Sequence, residues 1–244
     1  MIVVVHDGNA YEIMQVDNSA MAVIHNTIIG CDDRRNCIKP MKKENPVDYH
    51  RSNQKMVIGS SQEIVKMTAE KNLIEPGGHN LLVYDKSQVF REIYTEYART
   101  FLPQNEIIVI GTQYETINQV KNTLRLAGID VERYLNQGRT LFILDAQQGY
   151  QDVDIHGIWK LAMSLISRAK KEGRLGVTWY GDLGSFFSFE KIEQLMQYEL
   201  WCPQKYDDGK MKTVCCYHLE DFEKLNETQQ QALFDHHFKS VLVE

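Results

Sequence analysis

Long apolar runs are absent from this chain of 244 residues, and no stretch approaches the roughly 20 apolar residues that a membrane helix requires. The apolar start, Met1 to Val5, is short and lacks a basic flank. It is followed at once by His6 and Asp7, which is not the pattern of a signal peptide. We therefore expect a protein that has no membrane segment.

Cysteine is also scarce. The five cysteines are an odd number, spread unevenly at positions 31, 37, 202, 215 and 216, and such a pattern does not provide a disulfide framework. It favours a reducing compartment, so we expect a cytoplasmic protein. An excess of basic residues is missing as well: the net charge is −6, which disfavours direct binding to nucleic acid.

A cluster of helix and strand breakers, Glu75-Pro76-Gly77-Gly78, divides the chain into two predicted units. In residues 1–75, apolar segments flank Asp7-Gly8, a dipeptide typical of a tight hairpin, so we predict a small β-rich unit. Near the end of that unit, Ser60 and Glu63 have the spacing of a capping box, which predicts the start of a helix.

From residue 79 to residue 244, short apolar segments alternate with amphipathic ones. The predicted strands are 81–84, 107–110, 141–144, 175–180 and 213–217, and a predicted helix follows each of them. This alternation predicts an α/β domain with a mainly parallel sheet sandwiched by helices. In such folds ligands bind beyond the carboxyl ends of the strands, so a site is expected in the loops that follow them.

The loop after the first of these strands contains no glycine. A phosphate-binding loop needs glycines, whose backbone N–H groups wrap the phosphates, and a lysine followed by serine or threonine. Lys86 and Ser87 supply the second feature, but the segment is too short to encircle a phosphate. We therefore predict no ATPase activity. Ser87 is interpreted as the cap of the following helix, and a residual anion site at that helix N-terminus is the alternative.

Several short motifs follow one another at defined spacing: His79-Asn80-Leu81-Leu82-Val83-Tyr84, Gly128-Ile129-Asp130-Val131, Gly138 before Thr140-Leu141-Phe142-Ile143-Leu144, Tyr150, Tyr198-Glu199, Val214-Cys215-Cys216-Tyr217, Phe222 and His237. From about His79 to the end, this succession resembles the MEDS family, the methanogen/methylotroph sensory domain named partly for a dichloromethane-responsive regulator. The resemblance implies a RecA-like sheet that has lost its phosphate-binding loop and a role in sensing small molecules. Family members are often joined to DNA-binding or kinase modules, whereas residues 1–75 have the pattern of neither.

The candidate ligand-binding residues lie mainly after the predicted strands. Asp145 ends an apolar strand as in a Walker B motif, but no second carboxylate follows to activate a water, so it is predicted to be ligand-facing or structural. The segment 179–185 combines two glycines, aromatics and one carboxylate, which is typical of an apolar pocket with a few polar anchors. Glu199 is interpreted as facing the same region or as a surface residue. The full set is Tyr84, Lys86, Ser87, Asp145, Tyr180, Gly181, Asp182, Glu199 and Cys216.

Cys215 and Cys216 are neighbours on a predicted strand, so their side chains are expected on opposite faces of the sheet. One of them is predicted to be core, and Cys216 is the candidate for a ligand-facing thiol.

Metal-ligand residue types cluster weakly in the first unit, at His25, Cys31, Cys37 and His50. Their spacing does not match the close cysteine pairs of structural zinc sites, so a polar loop is the preferred interpretation. We predict no cofactor, no metal and no catalytic residues.

The leading hypothesis is a non-catalytic sensory protein that binds a small molecule and transmits the change to a protein partner, in transcriptional or other signal-transduction regulation. One alternative is a nucleotide-binding pseudo-ATPase. The other is an interaction or scaffold protein that uses its N-terminal strands to pair with itself or with a partner. A homo-oligomer is compatible with each of these hypotheses.

Overall fold

A computed structural model describes residues 2–6, 11–15, 55–69, 74, 77–151, 155–206 and 209–243. The strands are β1 (Ile2–His6), β2 (Tyr11–Gln15), β3 (Lys55–Gly59), β4 (His79–Tyr84), β5 (Ile107–Thr112), β6 (Leu141–Asp145), β7 (Val177–Asp182), β8 (Met211–His218) and β9 (Lys239–Val243). The α-helices are α1 (Ser61–Ala69), α2 (Ser87–Phe101), α3 (Ile117–Leu126), α4 (Ala146–Gln151), α5 (Ile155–Lys171), α6 (Gly184–Ser188), α7 (Ile192–Trp201), α8 (Leu219–Phe222) and α9 (Glu227–His236). No helix among the described residues is long and apolar enough to cross a membrane.

Seven strands form one sheet in the order β3-β9-β4-β8-β7-β5-β6, and every neighbouring pair is parallel. Parallel strands require crossover connections, and helices supply these here. The predicted α/β architecture with a mainly parallel sheet is therefore confirmed.

Helices cover both faces of this sheet. Residues of α1, α2 and α3 pack on the first face, together with the side chains of Leu82, Ile110 and Cys216. Residues of α5, α6, α7 and α9 pack on the second face, where they meet Val83, Trp179 and other strand side chains. Because both faces are buried, the central strands are apolar almost throughout and do not alternate with polar residues.

In the N-terminal region, β1 and β2 pair antiparallel as the predicted hairpin. β3 pairs in parallel with β9 and so belongs to the large sheet, although it precedes the breaker cluster at residues 75–78. The sheet thus takes one strand from the N-terminal side of the predicted boundary, and the boundary itself stays a prediction. Residues 16–54 of the predicted β-rich unit lie outside the described residues.

Local capping follows the sequence closely. Asn226 and Gln229 form the capping box that begins α9, and the Ser60 backbone N–H donates to Glu63 Oε2 over 2.9 Å at the start of α1. Gly128 and Gly173 have φ values of 82° and 63° and lie just beyond the ends of α3 and α5, where a left-handed residue ends a helix without strain.

A buried ion pair lies near the amino ends of the central strands. Lys212 Nζ lies 2.7 Å from Glu106 Oε1, and the side chain of Glu106 is fully buried. The Tyr97 hydroxyl donates to the same carboxylate over 3.0 Å and also accepts a hydrogen bond from Lys212. The ammonium group of Lys212 also lies over the ring of Phe101 in a cation–π contact, with 4.9 Å from Nζ to the ring centre.

Lys212→Met is expected to lower the free energy of unfolding by about 3–5 kcal/mol, because it leaves the buried Glu106 carboxylate without its cation. Urea denaturation measures this loss. Lys86→Met is the matched control, since Lys86 is 76% exposed and lies 3.8 Å from Asp85, and its loss should cost at most about 1 kcal/mol. Equal effects of the two substitutions would contradict a structural role for the buried pair.

Candidate functional site

The strand order creates two switch points at the carboxyl edge of the sheet, and we call the strand ends and loops around them the crevice. β4 and β5 lead into α2 and α3 on the first face, whereas β7 and β8 lead into α6 and α8 on the second. β4 lies beside β8, and β5 lies beside β7, so the chain leaves neighbouring strands in opposite directions at both places. Such switch points are where parallel α/β sheets bind ligands.

Asp182, the last residue of β7, lies at the centre of this crevice. Its side chain is held by three donors: the backbone N–H of Gly184 at 3.1 Å from Oδ1, and the backbone N–H of Gln113 and the hydroxyl of Tyr84, each at 3.2 Å from Oδ2. Burial raises the pKa of Asp182 to about 7, and these hydrogen bonds, which stabilise the carboxylate, oppose a further rise. The carboxyl group can therefore gain or lose a proton near neutral pH.

Tyr114 lies over the crevice and is 44% exposed. Its hydroxyl donates to Asp221 Oδ2 in α8, and its ring lies 5.6 Å from the ring of His218 at the end of β8. A Cβ atom added to Gly184 would come within 2.9 Å of the Tyr114 hydroxyl oxygen, so the glycine is needed for this close approach. Tyr114 thus connects the loops that follow β5, β7 and β8.

The side chain of Gln113 joins β5 to α6. Ser185 Oγ donates to Gln113 Oε1, and Gln113 Nε2 donates to Ser188 Oγ over 3.1 Å. Together with its backbone bond to Asp182, Gln113 holds the beginning of α6 against the end of β5.

Some of the predicted site residues meet in this crevice. Tyr84 and Asp182 are in direct contact, and Gly181, directly before Asp182 in β7, pairs with Gly111 of β5. Tyr180 lies deeper, fully buried against Tyr97 with 5.4 Å between the ring centres. Cys216 packs in the core of the first face. Cys215 lies on the second face, as strand alternation predicts.

Lys86 and Ser87 lie between β4 and α2, where only two residues separate the strand from the helix. Ser87 is the first residue of α2, and the capping position is occupied by Lys86, which makes no side-chain hydrogen bond to the helix. The interpretation of Ser87 as the helix cap is therefore wrong. Ser87 is one position past the cap, inside the first helical turn.

Asp145 is separated from the crevice. It ends β6 at the edge of the sheet, and β5 lies between it and the strand of Asp182. Its Oδ1 accepts the backbone N–H of Gln148 over 3.2 Å at the start of α4, which is the role of a helix cap.

Glu199 lies away from the crevice, on α7 against the second face of the sheet. It is completely buried, with Oε2 at 3.1 Å from Nε2 of His79 and 3.5 Å from Nε2 of His237. The interpretation of Glu199 as a surface residue is therefore wrong. The weak metal candidates His25, Cys31, Cys37 and His50 lie outside the described residues.

The sequence analysis missed four residues of the crevice: Gln113, Tyr114, His218 and Asp221. All four follow the ends of predicted strands, in loops where a ligand site is expected. Only their position after a predicted strand could have indicated them, because none of them belongs to a recognisable sequence motif.

Residues 78–237 match the family model described as MEDS, the MEthanogen/methylotroph, DcmR Sensory domain. The structure is similar to that of an uncharacterized protein from Pyrococcus horikoshii, solved in complex with an unknown peptide. The identity is 13%, the TM-score is 0.50, and the match covers 73% of this chain and 82% of that one, a likeness that shows the fold alone. No curated protein matches the chain.

The raised pKa of Asp182 predicts a specific pH dependence of stability. In the unfolded chain the pKa of aspartate is about 3.9, so between about pH 4 and pH 7 only the folded state holds this proton. The free energy of unfolding must fall as the pH rises through this window, and between pH 5 and pH 8 Asp182 should account for a loss of about 2–3 kcal/mol.

Comparison with Asp182→Asn isolates this effect. Burial lowers the pKa of His79 to about 4, so His79 acts in the opposite sense, adding stability as the pH rises from about 4 to 6.5. Urea denaturation of both proteins at pH 5 and pH 8 measures the difference, since the contribution of His79 is common to both. An identical pH dependence would show that Asp182 titrates normally.

Proposed function

The chain belongs to the MEDS family of sensory domains, and from this we propose that it is a non-catalytic sensor that binds a small molecule in the crevice around Asp182. The change is transmitted to a protein partner in a regulatory pathway. The observation that carries this proposal is a buried carboxyl group with a pKa near 7 beneath an exposed tyrosine at a switch point of the sheet.

The chemistry of the crevice supports a small ligand with a hydrogen-bonding group. Asp182 and Asp221 offer carboxyl oxygens, and the rings of Tyr84, Tyr114 and His218 provide flat apolar surface. An alcohol or amine of low molecular weight fits this combination, because few polar anchors set in an apolar wall are typical of ligand sites.

Tyr114 supports a mechanism for transmission. Asp182 is only 1% exposed, and the Tyr114 hydroxyl lies beside Gly184, whose backbone N–H is bound to Asp182. We infer that a ligand reaching Asp182 displaces Tyr114. Displacement breaks the bond between the Tyr114 hydroxyl and Asp221, and Asp221 is also bound to Lys224 Nζ at 2.6 Å. Binding at the end of β7 would in this way release α8, which changes the surface presented to a partner.

The nucleotide-binding alternative finds less support. The two-residue connection between β4 and α2 has no glycine and leaves no loop to surround a phosphate. Its lysine side chain, Lys86, points into solvent and is 76% exposed. A sensor of small organic molecules is therefore preferred over a pseudo-ATPase.

Native mass spectrometry of the freshly purified, tag-free protein tests for a retained ligand, and thermal unfolding tests a defined panel. The panel consists of methanol, methylamine and dichloromethane, chosen for the methylotroph connection of the family, with ADP and ATP as the competing class. A compound at about 100 times its Kd should add about 2.7 kcal/mol of stability, which is roughly 5–10 °C in Tm for a chain of this size.

Tyr114→Phe and Asp182→Asn are expected to reduce the ligand-induced rise in Tm at least several-fold, since each removes a hydrogen-bonding group of the crevice. Tyr134→Phe is the matched control, because Tyr134 lies in the segment before β6 and takes no part in the crevice. If the ligand still raises the Tm of both crevice variants by the wild-type amount, the ligand site does not lie in the crevice. A shift with ADP or ATP alone would favour the pseudo-ATPase.

A further inference from the structure

Four buried side chains converge on the second face of the sheet, away from the crevice. They are His79 at the start of β4, Glu199 on α7, Cys215 in β8 and His237 directly after α9, and we call them the His79 cluster. One ligand atom from each lies within 4.8 Å of all the others, and all four residues are buried.

Three distances in the His79 cluster are close to those between neighbouring ligands of one small cation. Bonds of about 2.0–2.3 Å to a tetrahedral zinc ion place neighbouring ligand atoms roughly 3.3–3.6 Å apart. Here His79 Nε2 lies 3.1 Å from Cys215 Sγ and 3.1 Å from Glu199 Oε2, and Glu199 Oε2 lies 3.5 Å from His237 Nε2. Side-chain adjustments of a few tenths of an ångström suffice for the shorter contacts.

Hydrogen bonds around the cluster orient two of the ligand atoms inward. His237 Nδ1 lies 2.7 Å from the backbone carbonyl oxygen of Leu233, which can only accept, so the ring proton is on Nδ1 and the lone pair of Nε2 faces the cluster. The Tyr217 hydroxyl donates to Glu199 Oε1 and leaves Oε2 for the cluster. Partners of this kind typically orient metal-binding histidines and carboxylates.

Backbone pairing brings His79 and His237 together independently of their side chains. The N–H of Phe238 donates to the carbonyl oxygen of His79 over 2.7 Å, so His237 is held beside the first residue of β4. The two imidazole rings are 4.1 Å apart, centre to centre.

The buried Glu199 carboxylate has the two imidazoles as close neighbours. Its Oε2 lies 3.1 Å from Nε2 of His79 and 3.5 Å from Nε2 of His237, and neutral imidazoles do not balance its charge. A buried carboxylate oxygen in this state is costly. A divalent cation removes the cost, because its charge balances one carboxylate and one thiolate while both imidazoles remain neutral.

We propose that His79, Glu199, Cys215 and His237 bind a single transition-metal ion of the zinc type in a closed, structural site. Two imidazoles, a thiolate and a carboxylate are ligands that zinc accepts, and the thiolate disfavours magnesium and calcium. On binding, the S–H bond of Cys215 breaks, the sulfur binds the metal, and the proton passes to solvent. Four protein ligands and complete burial leave no open position for a substrate, so the ion ties α7 and α9 to β4 and β8.

Metal analysis of the full chain, expressed and purified with zinc but without chelator or affinity metal, tests this site. We expect about one ion per chain in the wild type. Cys215→Ser and His237→Gln should each reduce that content several-fold. Cys216→Ser and His236→Gln are the matched controls and should retain the ion, because Cys216 lies on the opposite face and His236 Nε2 bonds to the backbone carbonyl of Cys202.

Cobalt provides a readout in the wild-type protein, which does not depend on how well any variant folds. Wild-type protein, stripped of metal and loaded with Co²⁺, should show the absorption bands of tetrahedral cobalt with one thiolate ligand. Cys216→Ser should keep these bands and Cys215→Ser should lose the thiolate band. A stoichiometric ion with these properties supports the site. Wild-type protein that holds no stoichiometric ion after zinc addition and shows no cobalt–thiolate band overturns it.

The metal site at the His79 cluster is independent of the proposed sensor function. The crevice and the His79 cluster share no residue, and loss of the ion should lower Tm without removing the ligand contacts around Asp182. Failure of one proposal therefore leaves the other standing.

Discussion

The parallel pairing of β4 with β8 is the constraint on which both candidate sites depend. In its register His79 lies opposite Thr213 at one end, and Tyr84 lies opposite His218 at the other. His79 at the first end belongs to the His79 cluster, and Tyr84 and His218 at the second end belong to the crevice. A shift of this register by one residue would turn Cys215 away from His79 and separate Tyr84 from Asp182, because successive strand residues face opposite sides of the sheet.

The fold handles buried carboxyl groups in three different ways. Glu106 is paired with the ammonium group of Lys212, and the pair is reinforced by the Tyr97 hydroxyl. No cation in the described part of the chain forms an ion pair with Asp182, and its pKa near 7 allows it to be neutral. Glu199 is surrounded by two imidazoles and a thiol, which is an arrangement for a metal ion. The differences follow from the neighbours that each strand end provides, since the cost of burying charge is common to all three.

The sequence predicted the elements better than the sites. Periodicity and capping residues such as Ser60 indicated the helices, and the missing glycines after Tyr84 indicated the lack of a phosphate loop. Asp182 was predicted because its segment combines two glycines, aromatics and one carboxylate. Asp145 was predicted to be ligand-facing or structural, and its position on the edge strand separates it from the crevice. Gln113 and Tyr114 carried no signal beyond their place after a strand.

By itself, the sequence determined the α/β class, the parallel sheet and the family, because these depend on local periodicity and on the order of short motifs. Only the tertiary structure decided which side chains meet. His79 and Cys215 are 136 positions apart, and their contact exists because β4 and β8 are neighbours in the sheet. Strand order is set by packing across the whole domain, so residue spacing along the chain does not encode it directly.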